Sequence, residues 1–333
     1  MNTGFFFVFS LLSLFSSAFS VGNDTFVDEH WIKFQSFMGK FERKYSNVRE
    51  LVDRFEIFKD NLHYIEGENS KNYKFTLGIT KFADLTHEEF KLYNRLSLEG
   101  PFSSPCDKYK FLDEDTPSSL DWRSKNAVTS VKDQGQCGSC WSFSATGAME
   151  GAWAIKNNDL ESLSEQELVD CSGKYGNHAC NGGLMDSAFE YVIENDGICS
   201  ESQYPYHASK GECDTSCKKV VTMSSCVDVT PNNQVHLKEA VSMGPVSIAI
   251  EADKRVFQMY TSGVLTDESC GTKLDHGVLI VGYGEESGTP YWLVKNSWST
   301  SWGDNGYIKI ERSDSENDPG VCGIAMQPSY PVV

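Results

Sequence analysis

The chain has 333 residues and a formal net charge of −18, with 29 Lys and Arg against 47 Asp and Glu. At ~150 residues per domain this allows two folded units with an appendage, and 40% hydrophobic with 23% charged residues is a globular composition. The acidic excess argues against nucleic acid or an anionic membrane as partner. The 11 cysteines are many for a cytosolic enzyme and too few for a disulfide-built miniprotein, and their odd number leaves at least one sulfur unpaired within the chain.

Residues Phe5 to Phe15 form an apolar run broken only by Ser10 and Ser13. It is shorter than the ~20 residues that span a bilayer. Ala18 and Ser20 fit the small-x-small rule for signal peptidase, so residues 1–20 are expected to be a signal peptide. No later stretch is apolar enough to span, so no stable membrane insertion is expected. The chain is expected to enter the secretory pathway, bound for a lysosome, a vacuole or the exterior, where disulfides form. Asn23-Asp24-Thr25 makes Asn23 a candidate glycosylation site.

Residues 24 to about 98 read as helical. Trp31, Phe34, Phe37, Met38 and Phe41 recur at helical spacing, and a second helix is expected from Glu50 to Asn69. Along it Glu50, Arg54, Phe58, Asn61, Ile65 and Asn69 share one face. Residues 99–117, with Pro101, Pro105 and Asp113-Glu114-Asp115, read as an exposed linker open to nicking. Beyond Pro117, helices are expected at Cys140–Ile155, at Ser164–Cys171 with a capping-box opening, and at Asp186–Asn195. Strands follow at 246–251, 277–284, 291–296 and 307–312. Helices followed by strands give an α+β class with a cleft between two lobes.

The segment Gln134-Gly135-Gln136-Cys137-Gly138-Ser139-Cys140-Trp141 is the sharpest chemical signal. A thioredoxin-type redox pair would place Trp before the first Cys, and a zinc site would need a second ligand pair, which is missing. The third reading makes Cys137 a disulfide partner and Cys140 a nucleophile at a helix start, where the dipole favours thiolate. A thiolate needs a proton partner, usually His. His30, His63 and His87 precede the linker, and His178, His207 and His236 lie in polar stretches and are expected to be solvated. His276 opens the apolar run Val278 to Val281 and is the candidate. Asn296 ends another strand, where its amide can accept the imidazole N–H, and Trp298 can shield that bond.

At these residues the chain resembles the papain family, in its cathepsin L-like branch. Cys137-Gly138-Ser139-Cys140-Trp141, Cys180-Asn181-Gly182-Gly183, Tyr204-Pro205-Tyr206, Asn296-Ser297-Trp298 and Ser301-Trp302-Gly303 match its motifs, and the Glu50–Asn69 stripe matches its propeptide helix signature. The separations from Cys140 to His276 and Asn296 agree or nearly agree with papain-like spacing. Thr80 stands where the second propeptide motif usually has Asn, and Ser299 where Gly usually follows the Trp.

The resemblance implies a papain-like two-lobe fold, with a helical lobe, a β-barrel-like lobe, the cleft between them and an N-terminal helical propeptide. Residues 21–115 would be the inhibitory propeptide and 116–333 the mature protease. Cys140 would be the nucleophile, ion-paired with His276, and Asn296 would orient His276. Gln134 and the Cys140 N–H would form the oxyanion hole. Gly182 and Gly183 would bind substrate backbone. Leu184, Met185, Ala249, Leu274, Gly277 and Gln327 would line the dominant pocket, with Asp275 and Trp298 also contacting substrate. Cys137–Cys180, Cys171–Cys213 and Cys270–Cys322 would be the family disulfides. Cys199, Cys217 and Cys226 stay open on sequence; Cys199–Cys217 is expected, with Cys226 buried and reduced. No metal or organic cofactor is implied. The partners expected are protein and peptide substrates and the chain's own propeptide as inhibitor, on a monomer. No insertion follows Gly183 or Gly284 that could block the cleft, which favours an endopeptidase over an exopeptidase.

Overall fold

The computed structural model describes residues 28–96, 104–266 and 270–333. The expected signal peptide, Asn23 and the opening of the expected linker lie outside these. The chain divides into two compact units, residues 1–59 and 60–333.

In the first unit Asp28 caps the helix Glu29–Lys40 by accepting from the His30 N–H at 2.9 Å. The recurring aromatics form its apolar stripe. Phe34 and Phe37 are buried against Phe58, with ring centroids 5.2 and 5.1 Å away. Phe58 belongs to the helix Val48–Asn69, which begins two residues earlier than expected. Ahead of its first turn, Asn47 Oδ1 accepts from the Glu50 N–H at 3.0 Å, and the Glu50 carboxylate accepts from the Ser46 N–H at 2.7 Å.

The second unit is organised by a ten-stranded sheet. Its strands are β1 (Phe75–Leu77), β2 (Asp107–Lys108), β3 (Leu120–Asp121), β6 (Ser225–Asp228), β7 (Val246–Ile250), β8 (Tyr260–Leu265), β9 (His276–Glu286), β10 (Thr289–Lys295), β11 (Tyr307–Glu311) and β12 (Ser329–Val332). β4 (Ile198–Cys199) and β5 (Lys219–Val221) pair separately. The spatial order is β1-β8-β11-β10-β9-β7-β12-β6-β2, with β3 added on β9. The sheet is open, not a closed barrel. Both of its edge strands, β1 and β2, come from chain ahead of Thr116, so this upstream chain covers the two rows of unpaired backbone groups that the sheet would otherwise expose.

The helix Cys140–Asn157 lies against β9 and β7 at close range. A Cβ on Gly147 would come within 2.7 Å of Leu279 Cδ2, so a side chain there would make the Leu279 tip move aside. Ser144 Oγ donates to Val278 O at 2.7 Å, and Ser247 Oγ donates to Ser144 O at 2.9 Å. These contacts fix the helix start relative to the first residues of β9. The helices Glu165–Cys171 and Met185–Glu194 complete the helical lobe. Ser164 caps the first, accepting from the Glu167 N–H at 2.9 Å, but the expected capping box is only half made. The Glu167 carboxylate turns inward instead and accepts from the Cys199 N–H at 2.7 Å and the Tyr191 hydroxyl at 2.8 Å, and pairs with Lys219. A buried carboxylate takes the partners that satisfy it best.

Three further expectations are corrected. From Ser104 onward the expected linker is docked: β2 pairs with β6 in parallel, Asp107 opposite Val227 and Lys108 opposite Asp228. That register sets Cys106 beside Cys226, and the two form a disulfide across Cα atoms 4.6 Å apart. Cys226 is buried, as its apolar surroundings suggested, but it is not reduced. His236, expected in solvent, is half-buried, with Phe111 stacked on its ring at 4.6 Å.

Candidate active site

Cys140 begins its helix and is fully buried, and it is the free cysteine among the described residues. The other cysteines form Cys137–Cys180, Cys171–Cys213, Cys270–Cys322, Cys199–Cys217 and Cys106–Cys226. The sulfur of Cys140 accepts from the Gly277 N–H at 3.3 Å. His276, the residue before Gly277 and the first of β9, is equally buried. Its Nε2 lies 2.8 Å from Asn296 Oδ1, an acceptor, so Nε2 carries the proton. Nδ1 is buried with no hydrogen-bond partner among the described residues. Asn296 is held at the end of β10, where its Oδ1 also accepts from the Ser297 N–H at 2.7 Å. Trp298 stacks on the imidazole at 4.6 Å and excludes water from the His276–Asn296 bond.

Gln134 is buried, and Ser297 Oγ donates to its Oε1 at 2.7 Å, which turns Nε2 outward. Nε2 donates to Tyr93 O and to Cys137 O, each at 3.0 Å. Tyr206 supports the same corner: its hydroxyl donates to Gln134 O at 2.8 Å and is 2.6 Å from Ser139 Oγ. Ser297 and Tyr206 were within matched motifs but carried no sign of this role, because it depends on contacts distant in sequence.

An upstream segment covers the cleft. Phe82 and Phe90 pack edge-on against Trp298, each at 5.4 Å. Arg95 O lies 3.8 Å from Cys140 Sγ, the Leu96 N–H donates to Asp275 O at 2.9 Å, and Arg95 reaches Asn181 Oδ1 at 3.2 Å. Burial under this cover pushes the Cys140 thiol up to about 11 and the His276 imidazole down to about 4. Burial in this covered form thus favours the neutral thiol and the neutral imidazole over the charged pair that the resemblance implies.

Around the cleft, Gly183 has no room for a side chain, since a Cβ would lie 2.4 Å from Asn177 Oδ1. Leu184, Met185 and Ala249 are buried. Ala249 faces Gly277 across β7 and β9, and a Cβ on Gly277 would stand 3.2 Å from Met185 Sδ. Leu274 and Met326 both close on Gly323, within 2.8 and 2.9 Å of its Cβ position, so Met326, not expected here, shares a neighbour with Leu274. Gln327 Oε1 is buried with no hydrogen-bond partner among the described residues.

Lobes, cleft and covering segment together are the architecture of a papain-like cysteine protease in its proform. Residues 116–332 match the papain family cysteine protease profile, and residues 34–90 match the cathepsin propeptide inhibitor domain. The chain belongs to the papain family. It is 53% identical over 287 residues to the probable cysteine protease RD21B of Arabidopsis thaliana, a match covering 85% of this chain and 61% of that one. It thus spans less than two-thirds of that relative's length. Among solved structures, the recombinant stem bromelain precursor superposes with a TM-score of 0.85 at 40% identity, covering 92% of this chain and 99% of that one. Digestive procathepsin L 3 of Tenebrio molitor larval midgut gives 0.84 at 41% identity, covering 92% and 100%. No described helix is long and apolar enough to cross a membrane.

Proposed function

We propose that the chain is the precursor of a monomeric cysteine endopeptidase of the secretory pathway. In this reading residues 1–20 are the signal peptide, 21–115 the inhibitory propeptide and 116–333 the mature enzyme. The observation that supports it most directly is the Gln134 amide donating to a peptide carbonyl, Tyr93 O, at 3.0 Å, in the segment whose Arg95 carbonyl lies 3.8 Å from the Cys140 sulfur. A donor that holds a peptide oxygen there can hold the oxyanion of a tetrahedral intermediate.

Once the cleft is cleared, water returns to the pair and the proton moves from Cys140 to His276. The thiolate attacks the scissile carbonyl carbon, and Gln134 Nε2–H and the Cys140 N–H take the developing oxyanion. The imidazolium gives its proton to the leaving amine, and a thioester remains. Neutral His276 then takes a proton from water, whose oxygen attacks the thioester and releases the acid. Asn296 keeps the ring oriented throughout. The test is to acid-activate the precursor and label it with an epoxide thiol trap. Labelling is expected at Cys140 and absent in Cys140→Ala; equal labelling of the variant would refute the assignment.

A further inference from the structure

The upstream chain grips the catalytic domain at both sheet edges, but only at one is the grip covalent. At β2, the Tyr109 N–H donates to Asp228 O at 2.9 Å. The Glu239 carboxylate accepts from the Tyr109 hydroxyl and from the Leu112 and Glu114 N–H groups, the last two at 3.1 Å. Phe111 stacks on His236. Every one of these partners lies after Thr116. Cys106 adds the disulfide to Cys226, and it precedes Asp115 by nine residues, on the propeptide side of the maturation junction.

We propose that the Cys106–Cys226 disulfide spans the maturation junction, so that a cut between Asp115 and Thr116 makes two chains that stay joined. The inference rests on the zymogen reading and on that position for the cut. Nine residues lie between Leu96, bound in the cleft, and Cys106. An inhibitor tethered by so short a link sits at an effective concentration of roughly millimolar and does not leave on dilution. Two routes release it. One is a second hydrolysis on the amino-terminal side of Cys106, which leaves a short disulfide-bound strand on the enzyme. The other is reduction by a dithiol. One thiolate attacks the half-buried Cys106 sulfur and forms a mixed disulfide, and the second thiol displaces it. Two electrons and two protons pass to the protein, leaving Cys106 and Cys226 as thiols and the dithiol as its own disulfide.

The test uses the full chain, matured in acid without reductant and quenched with iodoacetamide. Intact mass and amino-terminal sequence are read before and after dithiothreitol. Before reduction, the catalytic chain beginning near Thr116 is expected to carry a linked peptide containing Cys106; after reduction the two separate, and each of these cysteines takes up one alkyl group. In Cys106→Ser/Cys226→Ala the catalytic chain is expected alone without reductant. A catalytic chain found alone in the unreduced wild-type protein overturns the tether. A single chain that begins ahead of Cys106 overturns the cut position instead, and the amino-terminal sequence tells the two failures apart.

Discussion

Gln134 Nε2 holds Tyr93 O, while Cys140 Sγ lies 3.8 Å from the carbonyl oxygen of Arg95, two residues further on. The Gln134 donor and the Cys140 sulfur thus engage different carbonyls of the covering segment, an arrangement in which the segment would block the cleft without being cut. With the thiol pushed up to about 11 by burial, the thiolate is strongly disfavoured at pH 7. Iodoacetamide is expected to label Cys140 in the intact precursor at least ~100-fold more slowly than in the processed enzyme. Equal rates at pH 7 would contradict the covered site.

The sign of the pH response follows from His276. Its value in the closed form is about 4, against an ordinary value near 6.5. In the Cys140→Ser precursor, where no thiol can hand the imidazole its proton, an opened cleft takes up below 6.5 a proton that the closed one refuses, so closure of that variant loses stability as pH falls from 6.5 to 4, by up to ~3 kcal/mol. Asp275, pushed up to about 7 by burial, acts oppositely: where it stays covered it keeps its proton, and its contribution to closure is lost as pH rises through 7. In the Cys140→Ser precursor, hydrogen exchange at the Leu96 amide is expected to lose protection across this range. His276→Asn should flatten the loss and Asp275→Asn should steepen it; a response untouched by either excludes both groups.

Asn61 is 3% exposed and sits on the stripe that the sequence marked. Its Nδ2 donates to Ala83 O at 2.9 Å and Leu85 O at 3.0 Å, and its Oδ1 accepts from Arg255 at 2.7 Å. Asn61→Ala would strip partners from two carbonyls and a guanidinium, a cost of about 2–4 kcal/mol. The expected readouts are a lower melting temperature of the precursor and faster maturation in acid, with the mature enzyme's melting temperature unchanged. A variant that matures at the wild-type rate would leave Asn61 no part in docking.

Ser299 adopts φ +67, the left-handed region, where this family usually has glycine. A side chain there costs ~1 kcal/mol. Ser299→Gly is expected to raise the melting temperature of the mature enzyme by roughly 2–4 °C, read by calorimetry. A fall would mean that the Ser299 hydroxyl, 3.3 Å from the Ser301 N–H and Oγ, matters more than the backbone.

What the sequence disclosed was what depends on local order. Helix starts at Cys140 and Ser164, the strand after His276 and the Asn296 position all rest on periodicity and capping. What it hid depends on register between distant segments. Cys106 meets Cys226 only because β2 adds to β6, and two residues of extended chain carry no strand signal of their own. β8 was missed because Thr261, Ser262 and Gly263 break its alternation, where Gly263 at φ +82 lets Lys74 O approach. Thr80, a departure from the family motif, keeps the docking bond that a side-chain donor needs, giving its Oγ1 hydrogen to Gln258 O at 2.7 Å.

The side chain two positions on the acyl side of the cleaved bond is expected to set substrate preference. Met185, Ala249 and Gly277 stand together on one side of the expected pocket, and Leu274 and Met326 meet at Gly323. These are apolar groups, and each methylene buried among them is worth ~0.8 kcal/mol. Met185 and Met326 can reshape around either a branched or an aromatic side chain. Leu and Phe are therefore expected to exceed Arg in kcat/KM in a fluorogenic library varied only at that position, since an unpaired cation is costly among such groups. Gln327 follows Met326, and its buried Oε1 lacks a partner among the described residues. A carboxylate in its place can pair with a cation, so Gln327→Glu is expected to raise Arg turnover relative to Leu. Gly277→Ala puts a methyl 3.2 Å from both Met185 Sδ and Trp141 Cα. That narrows the space and should cost Phe substrates more than Leu substrates. If Arg matches Leu and Phe in the wild-type enzyme, the pocket is not built from these residues; if Gln327→Glu leaves the Arg to Leu ratio unchanged, Gln327 does not reach it.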